Sequence, residues 1–220
     1  RPSAAHVCLY VGVNEPQEKL QTGTTNLWIY PHEDHDKAVN DYLEDPSKPL
    51  PLVYISFPSA KDPDWENRYP GKSTAEVLSI APYEWFAEWE DKRWRKRGED
   101  YEKLKEEHAQ KLLDALYKHV PQMKGKVDYY ELSTPLSTKN FCSYEHGEIY
   151  GIDHKPDRFR QKFLKPRTPI KNLYLTGQDI ATAGVGGALF SGVLTTSAIL
   201  GKNVIGDIMK RQQLGESEKV

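Results

Sequence analysis

The sequence predicts an α/β fold: part of a mixed sheet comes first, and a strand, a turn and a glycine-rich helix start come last. Three observations carry this prediction over the 220 residues. Short β-favouring runs recur in the first half between Pro-, Asp- and Gly-bearing turns. One long stripe at helical spacing, Tyr101, Leu104, His108, Leu112 and Leu116, follows them. Finally, Leu173, Tyr174, Leu175 and Thr176 form an apolar run ended by Gly177, after which 185–200 reads as a helix.

In order, strands are expected at 6–13, 26–30, 52–57 and 75–80. The acidic and histidine-bearing stretch His32, Glu33, Asp34, His35 and Asp36 reads as a solvated turn or helix start rather than a metal site, because adjacent side chains diverge. Residues 82–97 set Tyr83, Trp85, Phe86, Trp89 and Trp94 beside Lys92, Arg93, Arg95, Lys96 and Arg97. Three readings stay open there: a helix with its aromatics in the core, a lid over an apolar ligand channel, or an amphipathic segment making a peripheral membrane contact. The helix expected over 101–120 carries His108 on its apolar stripe, as a packing histidine. Pro121 and Gly125 end it, 126–132 returns as a strand, and Pro135 stands where a helix tolerates proline best. Past Gly201 the pattern thins, and 211–220 reads as a polar tail.

The last turn holds one carboxylate, Asp179, before Gly184, Val185, Gly186 and Gly187. Small residues at Gly184, Ala188, Gly192 and Thr196 share one helix face, which suits close packing. A helix start presents unpaired N–H groups and favours partial negative charge, so an anionic ligand fits there. Helix–sheet packing with Asp179 as a plain N-cap fits the same residues.

Composition excludes several classes. With 30 basic against 32 acidic residues, the net charge of −2 gives no global case for nucleic acid. Hydrophobic residues make up 38% and charged ones 28%, and a mean hydropathy of −0.72 puts much of the chain at a water-facing surface. Cys8 and Cys142 are too few for a disulfide framework and lack ligand spacing, so no metal is expected. Glycines and hydroxyls interrupt 181–200 too often for a membrane span. No signal-peptide pattern is seen, and a start at Arg1 in an apolar run reads as a piece of a longer protein.

The stretch from Asn172 to Gly192, with Thr134-Pro-Leu-Ser-Thr, Gly147-Glu-Ile-Tyr-Gly, Pro51-Leu-Val-Tyr-Ile-Ser-Phe-Pro-Ser-Ala-Lys-Asp-Pro, Tyr69-Pro-Gly and Tyr83-Glu-Trp-Phe, resembles the flavoprotein family of phytoene desaturases, carotenoid isomerases and retinol saturases. Within it the likeness points to the all-trans-retinol 13,14-reductase branch. The resemblance implies the C-terminal part of a two-domain, FAD-dependent oxidoreductase. Residues 1–133 would belong to a substrate domain with a helical insertion at about 82–120, and 134–210 to the end of a Rossmann-like FAD-binding domain. It implies cofactor contacts at Gly177, Gln178, Asp179, Gly184, Val185, Gly186 and Gly187, with Asp179 on the ribityl or phosphate part and the N–H groups of 185–187 on the flavin carbonyl edge. Asn140, Phe141, Tyr144 and Tyr150 would lie in a loop on the substrate side. The implied substrate is an apolar polyene, retinoid or carotenoid, with NAD(P)H as an electron donor. Two features depart from the pattern. No Gly-x-Gly-x-x-Gly turn is present, as expected if that turn lies upstream, and Ala183 stands where a proline often precedes the helix glycine. The alternatives are a carotenoid desaturase or isomerase, and a non-enzymatic module binding a membrane surface or partner. An animal relative would sit at the endoplasmic reticulum membrane; a bacterial one would be cytoplasmic or membrane-associated.

Overall fold

Alternation decides the first strand: in β1 (His6–Val13), Val7, Leu9, Val11 and Val13 are buried on one face, as a period of two requires. A computed structural model describes residues 1–217. It places β1 between β4 and β5 in a five-stranded sheet with β2 (Leu27–Ile29), β3 (Val53–Ser56), β4 (Ser73–Ile80) and β5 (Val127–Ser133), in the order β2-β3-β4-β1-β5. Every pairing is antiparallel. The expected mixed sheet is therefore corrected. Its strands lie close to the expected positions, but their direction is set by connections whose course spacing does not reveal.

The helices are α1 (Gln17–Leu20), α2 (His35–Glu44), α3 (Pro58–Lys61), α4 (Trp65–Arg68), α5 (Glu99–His119), α6 (Pro135–Cys142), α7 (Pro156–Phe159), α8 (Gly184–Leu200) and α9 (Ile205–Ser217). The His32–Asp36 stretch becomes the start of α2, whose Asp34 side chain accepts the Lys37 N–H at 2.9 Å. Helix α5 has acids in its first turn and Lys118 and His119 in its last, the order its dipole favours. It buries Tyr101, His108, Leu112 and Leu116 in the same core as Leu9, Ile55 and Val77.

Two compact units divide after Ile149: Ala4–Ile149, and Arg1–Ser3 with the chain from Tyr150 on. The expected boundary at 133/134 thus falls inside the sheet unit. Helix α6 starts directly from β5, with Thr134 N–H donating to Ser137 Oγ at 3.1 Å and Tyr101 Oη bonded to Thr134 Oγ1 at 2.7 Å. Gly147, at φ +60°, comes so close to Pro135 that a Cβ would meet its carbonyl oxygen at 2.4 Å. Thr134-Pro and Gly147-Glu are therefore one packing unit.

Residues 82–97 resolve into 3-10 turns rather than a helix. Phe86 is fully buried, Trp85 packs edge-on to Tyr42 with ring centres 5.4 Å apart, and Trp89 lies against Tyr101. Those aromatics belong to the core; of the basic residues beyond them, Lys92, Arg93, Arg95 and Lys96 are exposed and Arg97 is buried. Cys8 is buried, and burial, reinforced by Glu76, pushes its thiol up to about 12, which leaves it unreactive near neutral pH.

In the C-terminal unit, Leu173–Thr176 is extended but is no strand: it makes one isolated bridge, Arg167 to Tyr174. Its neighbour is the short segment 166–168, which accepts the Leu175 N–H at 2.8 Å on the Pro166 carbonyl but is too short to extend a ladder. The expected polar tail is helical through Ser217, because Ile205 and Ile208 recur at helical spacing and helix-forming residues follow; its last residues, 218–220, lie outside the described residues. Among the described residues no single helix is long and apolar enough to cross a membrane.

His108 is buried against Trp85 (ring centres 5.8 Å apart, nearly parallel) and Phe86, and burial lowers its pKa from 6.5 to about 4. Between those values the unfolded chain takes up a proton that the folded one refuses. Stability should fall as the pH drops through that window, by on the order of 3 kcal/mol. His6, lowered by burial too, adds the same sign. Thermal melts across the window should show a shallower slope in His108→Gln than in the parent.

Candidate functional site

The helix start is held by polar groups rather than by an apolar floor. Thr195 Oγ1 donates to the Leu175 carbonyl at 2.8 Å, and Ser191 Oγ accepts the Gly177 N–H at 2.8 Å while lying 3.3 Å from Thr176 Oγ1. These bonds lay the extended segment along α8 and fix which face of the helix is buried: Gly187, Ser191 and Thr195. The expected packing face, Gly184, Ala188, Gly192 and Thr196, lies one row around the helix and is not buried. The hydroxyls decide this rotation because they must reach backbone groups that would otherwise be unpaired.

The turn from Gly177 to Gly184 is tied down residue by residue. Asp179 Oδ1 accepts the Ile152 N–H at 2.9 Å, and Arg158 Nη1 donates to the Ile152 carbonyl at 2.8 Å. Arg158 Nη2 donates to the Gln178 carbonyl at 2.7 Å, and Gln178 Oε1 accepts the Gly184 N–H at 3.1 Å. Gly151, at φ +65°, leaves room for the Asp179 carboxylate, whose Oδ1 a Cβ there would meet at 2.4 Å. Asp179 is therefore engaged as a clamp on Ile152 rather than as an N-cap, and the cap of Gly184 comes from Gln178. Arg158, buried and donating only to backbone carbonyls and His154, was not singled out from sequence; a Pro-led turn carries no sign of it.

Of the cofactor-side residues, Gly177, Gln178, Asp179, Gly184, Val185, Gly186 and Gly187 are brought together around this turn. Gly187 faces inward: a Cβ there would lie 1.7 Å from the Thr182 carbonyl oxygen. Gly186 has nothing within 4 Å of that position, and Val185 is 88% exposed. The first turn of α8 has no acidic residue and no side-chain cap from Ala183, and its first N–H groups, those of Val185 and Gly186 among them, have no intrahelical acceptor, with the dipole behind them. Apolar Leu189 and Phe190 stand exposed on the next turn.

The substrate-side residues are dispersed. Asn140 and Phe141 occupy the last turn of α6 rather than a loop, and Phe141 packs edge-on to Trp94 at 5.1 Å. Tyr144 is half-buried beyond the left-handed Ser143. Tyr150 lies in the C-terminal unit, its N–H donating to Ser3 Oγ at 3.1 Å.

No family model matches the chain. It is 38% identical over 221 residues to the all-trans-retinol 13,14-reductase of Danio rerio, across 96% of this chain and 36% of that protein. The enzyme of the same name from Rattus norvegicus is also 38% identical, over 215 residues, 94% of this chain and 35% of its own length. The chain is a homologue of the all-trans-retinol 13,14-reductases. It spans little more than a third of the length of these reductase relatives. A Danio rerio protein named inactive all-trans-retinol 13,14-reductase is 31% identical across 100% of this chain and 37% of its own length, so likeness in this stretch extends to a protein named inactive.

The two glycines make opposite predictions. Gly187→Ala drives a methyl group into the Thr182 carbonyl and should cost at least about 2 kcal/mol. Gly186→Ala meets open space on a helix and should be neutral or stabilising by roughly 0.5–1 kcal/mol. Denaturant unfolding of both variants is the check.

Proposed function

We propose that the chain is a stretch of a larger FAD-dependent oxidoreductase that saturates one carbon–carbon double bond of a retinoid. The observation that supports this best is identity of 37–38% to reductases of that name over about 95% of the chain. The helix start fits a flavin in one respect and is already occupied in another. Open space over Gly186, and first-turn N–H groups at Val185 and Gly186 that have no intrahelical acceptor, suit a flat, electron-rich edge. Asp179 Oδ1 is already committed to Ile152, which leaves Oδ2 as the oxygen for a ribityl hydroxyl.

In this reading Val185 and Gly186 hold the cofactor's carbonyl edge, while Gln178, Asp179 and Arg158 keep the turn in place. Gly187 lets the turn approach the helix closely. Exposed Val185, Leu189 and Phe190 offer apolar surface suited to a polyene. FAD bound there would supply hydride or electron transfer at its ring. Saturating one double bond takes two electrons and two protons in all, drawn from a donor such as NAD(P)H.

The test is to incubate the flavin-loaded enzyme containing this stretch with all-trans-retinol and reductant. The expected product is 13,14-dihydroretinol. Turnover of carotenoids alone would move the chain to the desaturase or isomerase branch, and vesicle binding with no flavin requirement would support a non-enzymatic module. The site itself is tested by Gly186→Val, which meets no protein atom within 4 Å. It should leave the melting temperature within a few degrees of the parent and lower flavin content per folded molecule several-fold. Unchanged flavin absorbance would remove the helix start from the cofactor site.

A further inference from the structure

The sheet unit contains a cleft of about 630 Å³ that the retinoid reading does not use. Lys92, Arg93, Arg95, Lys96, Arg97 and Lys139 line it, with Glu90 as the acidic member. Glu90 is already engaged, by Lys139 at 2.8 Å and by the Tyr83 hydroxyl. Among the described residues none of the other cations forms an ion pair.

Arg97 is the unusual one. It is only 5% exposed, its Nε has no hydrogen-bond partner, and its contact is with the Tyr101 ring, 5.1 Å from the guanidinium carbon. A buried guanidinium without an anion or a carbonyl is costly, and folding does not normally leave one unpaired. Above it Arg95, at φ +60°, lays its guanidinium 4.4 Å from the Trp94 ring centre. A non-glycine residue in that region marks a turn held against local preference.

We propose that this cleft binds a phosphate-bearing ligand, with Arg97 as its inner contact and Lys92, Arg93, Arg95 and Lys96 around it. A single carboxylate would neutralise one of five unpaired cations, whereas a phosphate ester or pyrophosphate carries two or more charges and matches the guanidinium fork. The volume exceeds that of phosphate alone and leaves room, beside Trp94 and Leu136, for an organic portion. A soluble phosphate ester and a phospholipid headgroup share this chemistry.

The experiment is calorimetric titration of the chain with inorganic pyrophosphate at low and physiological salt, together with phosphatidylcholine vesicles doped with phosphatidic acid. Saturable one-to-one pyrophosphate binding is expected, weakened at least about tenfold by Arg97→Met. Without the probe, Arg97→Met should melt at a higher temperature than the parent, because it removes an unpaired buried charge. Should that variant fail to fold, Arg93→Gln/Arg95→Gln, at exposed positions, should weaken binding by a similar factor. Vesicle binding that pyrophosphate displaces supports the proposal and assigns a lipid headgroup. Pyrophosphate binding without vesicle binding supports it and assigns a soluble ester. Absence of saturable binding, vesicle binding that pyrophosphate does not displace, or affinity unchanged in both variants overturns it.

Discussion

Ile152 is gripped from both sides of its peptide backbone, with Asp179 accepting its N–H and Arg158 donating to its carbonyl, and the start of α8 depends on that grip. Through Arg158 the same clamp reaches the Gln178 carbonyl, and Gln178 in turn caps Gly184. Remove the carboxylate and the turn loses its anchor; remove the guanidinium and two carbonyls lose their donor. Bonds of this kind contribute about 1–3 kcal/mol each when a charged group is involved. Together with Ser191 and Thr195 they take the place of a core in this unit, where Leu189, Ile199 and Leu200 remain exposed. The start of α8 is thereby fixed, with Gly184 capped by Gln178 and further first-turn N–H groups that have no intrahelical acceptor.

The sheet unit works on the opposite principle. Its stability comes from a continuous apolar cluster joining β1, β3, β4 and α5, with Phe86 and Met123 fully buried. Polar groups inside it are exceptions with consequences. Burial keeps His108 neutral near pH 7, and Arg97 lies beside a cleft lined by further cations. Apolar packing thus carries turns with non-glycine residues in the left-handed region, at Gln21, Arg95 and Ser143, and an Arg97 Nε without a hydrogen-bond partner.

The parts legible in the sequence are those governed by period. Alternation placed β1 at His6–Val13, and the stripe from Tyr101 to Leu116 placed α5. Proline at the first position placed α6, and glycine marked the start of α8. What depended on three-dimensional partners was not legible. The Leu173–Thr176 run has β propensity but only one short bridged neighbour, and the buried row of α8 is chosen by hydroxyls that bond backbone carbonyls and amides, which residue size does not announce. Asp179 was visible as the lone carboxylate of its turn, but its partner lies 27 residues away, and Arg158 gave no sign at all. The aromatic–basic stretch proved to be two things: core up to Trp89 and a charged cleft beyond it.

The account stands on one placement, that of a flavin against the first-turn N–H groups at the start of α8. Hydrogen exchange resolved to single amides, comparing the flavin-loaded enzyme with the same enzyme stripped of flavin, tests it most directly. The placement predicts that the Val185 and Gly186 amides slow markedly on loading, while those of β1 and α5 keep their rates. Loading that leaves both amides unchanged, with new protection confined to other parts of the chain, would contradict it.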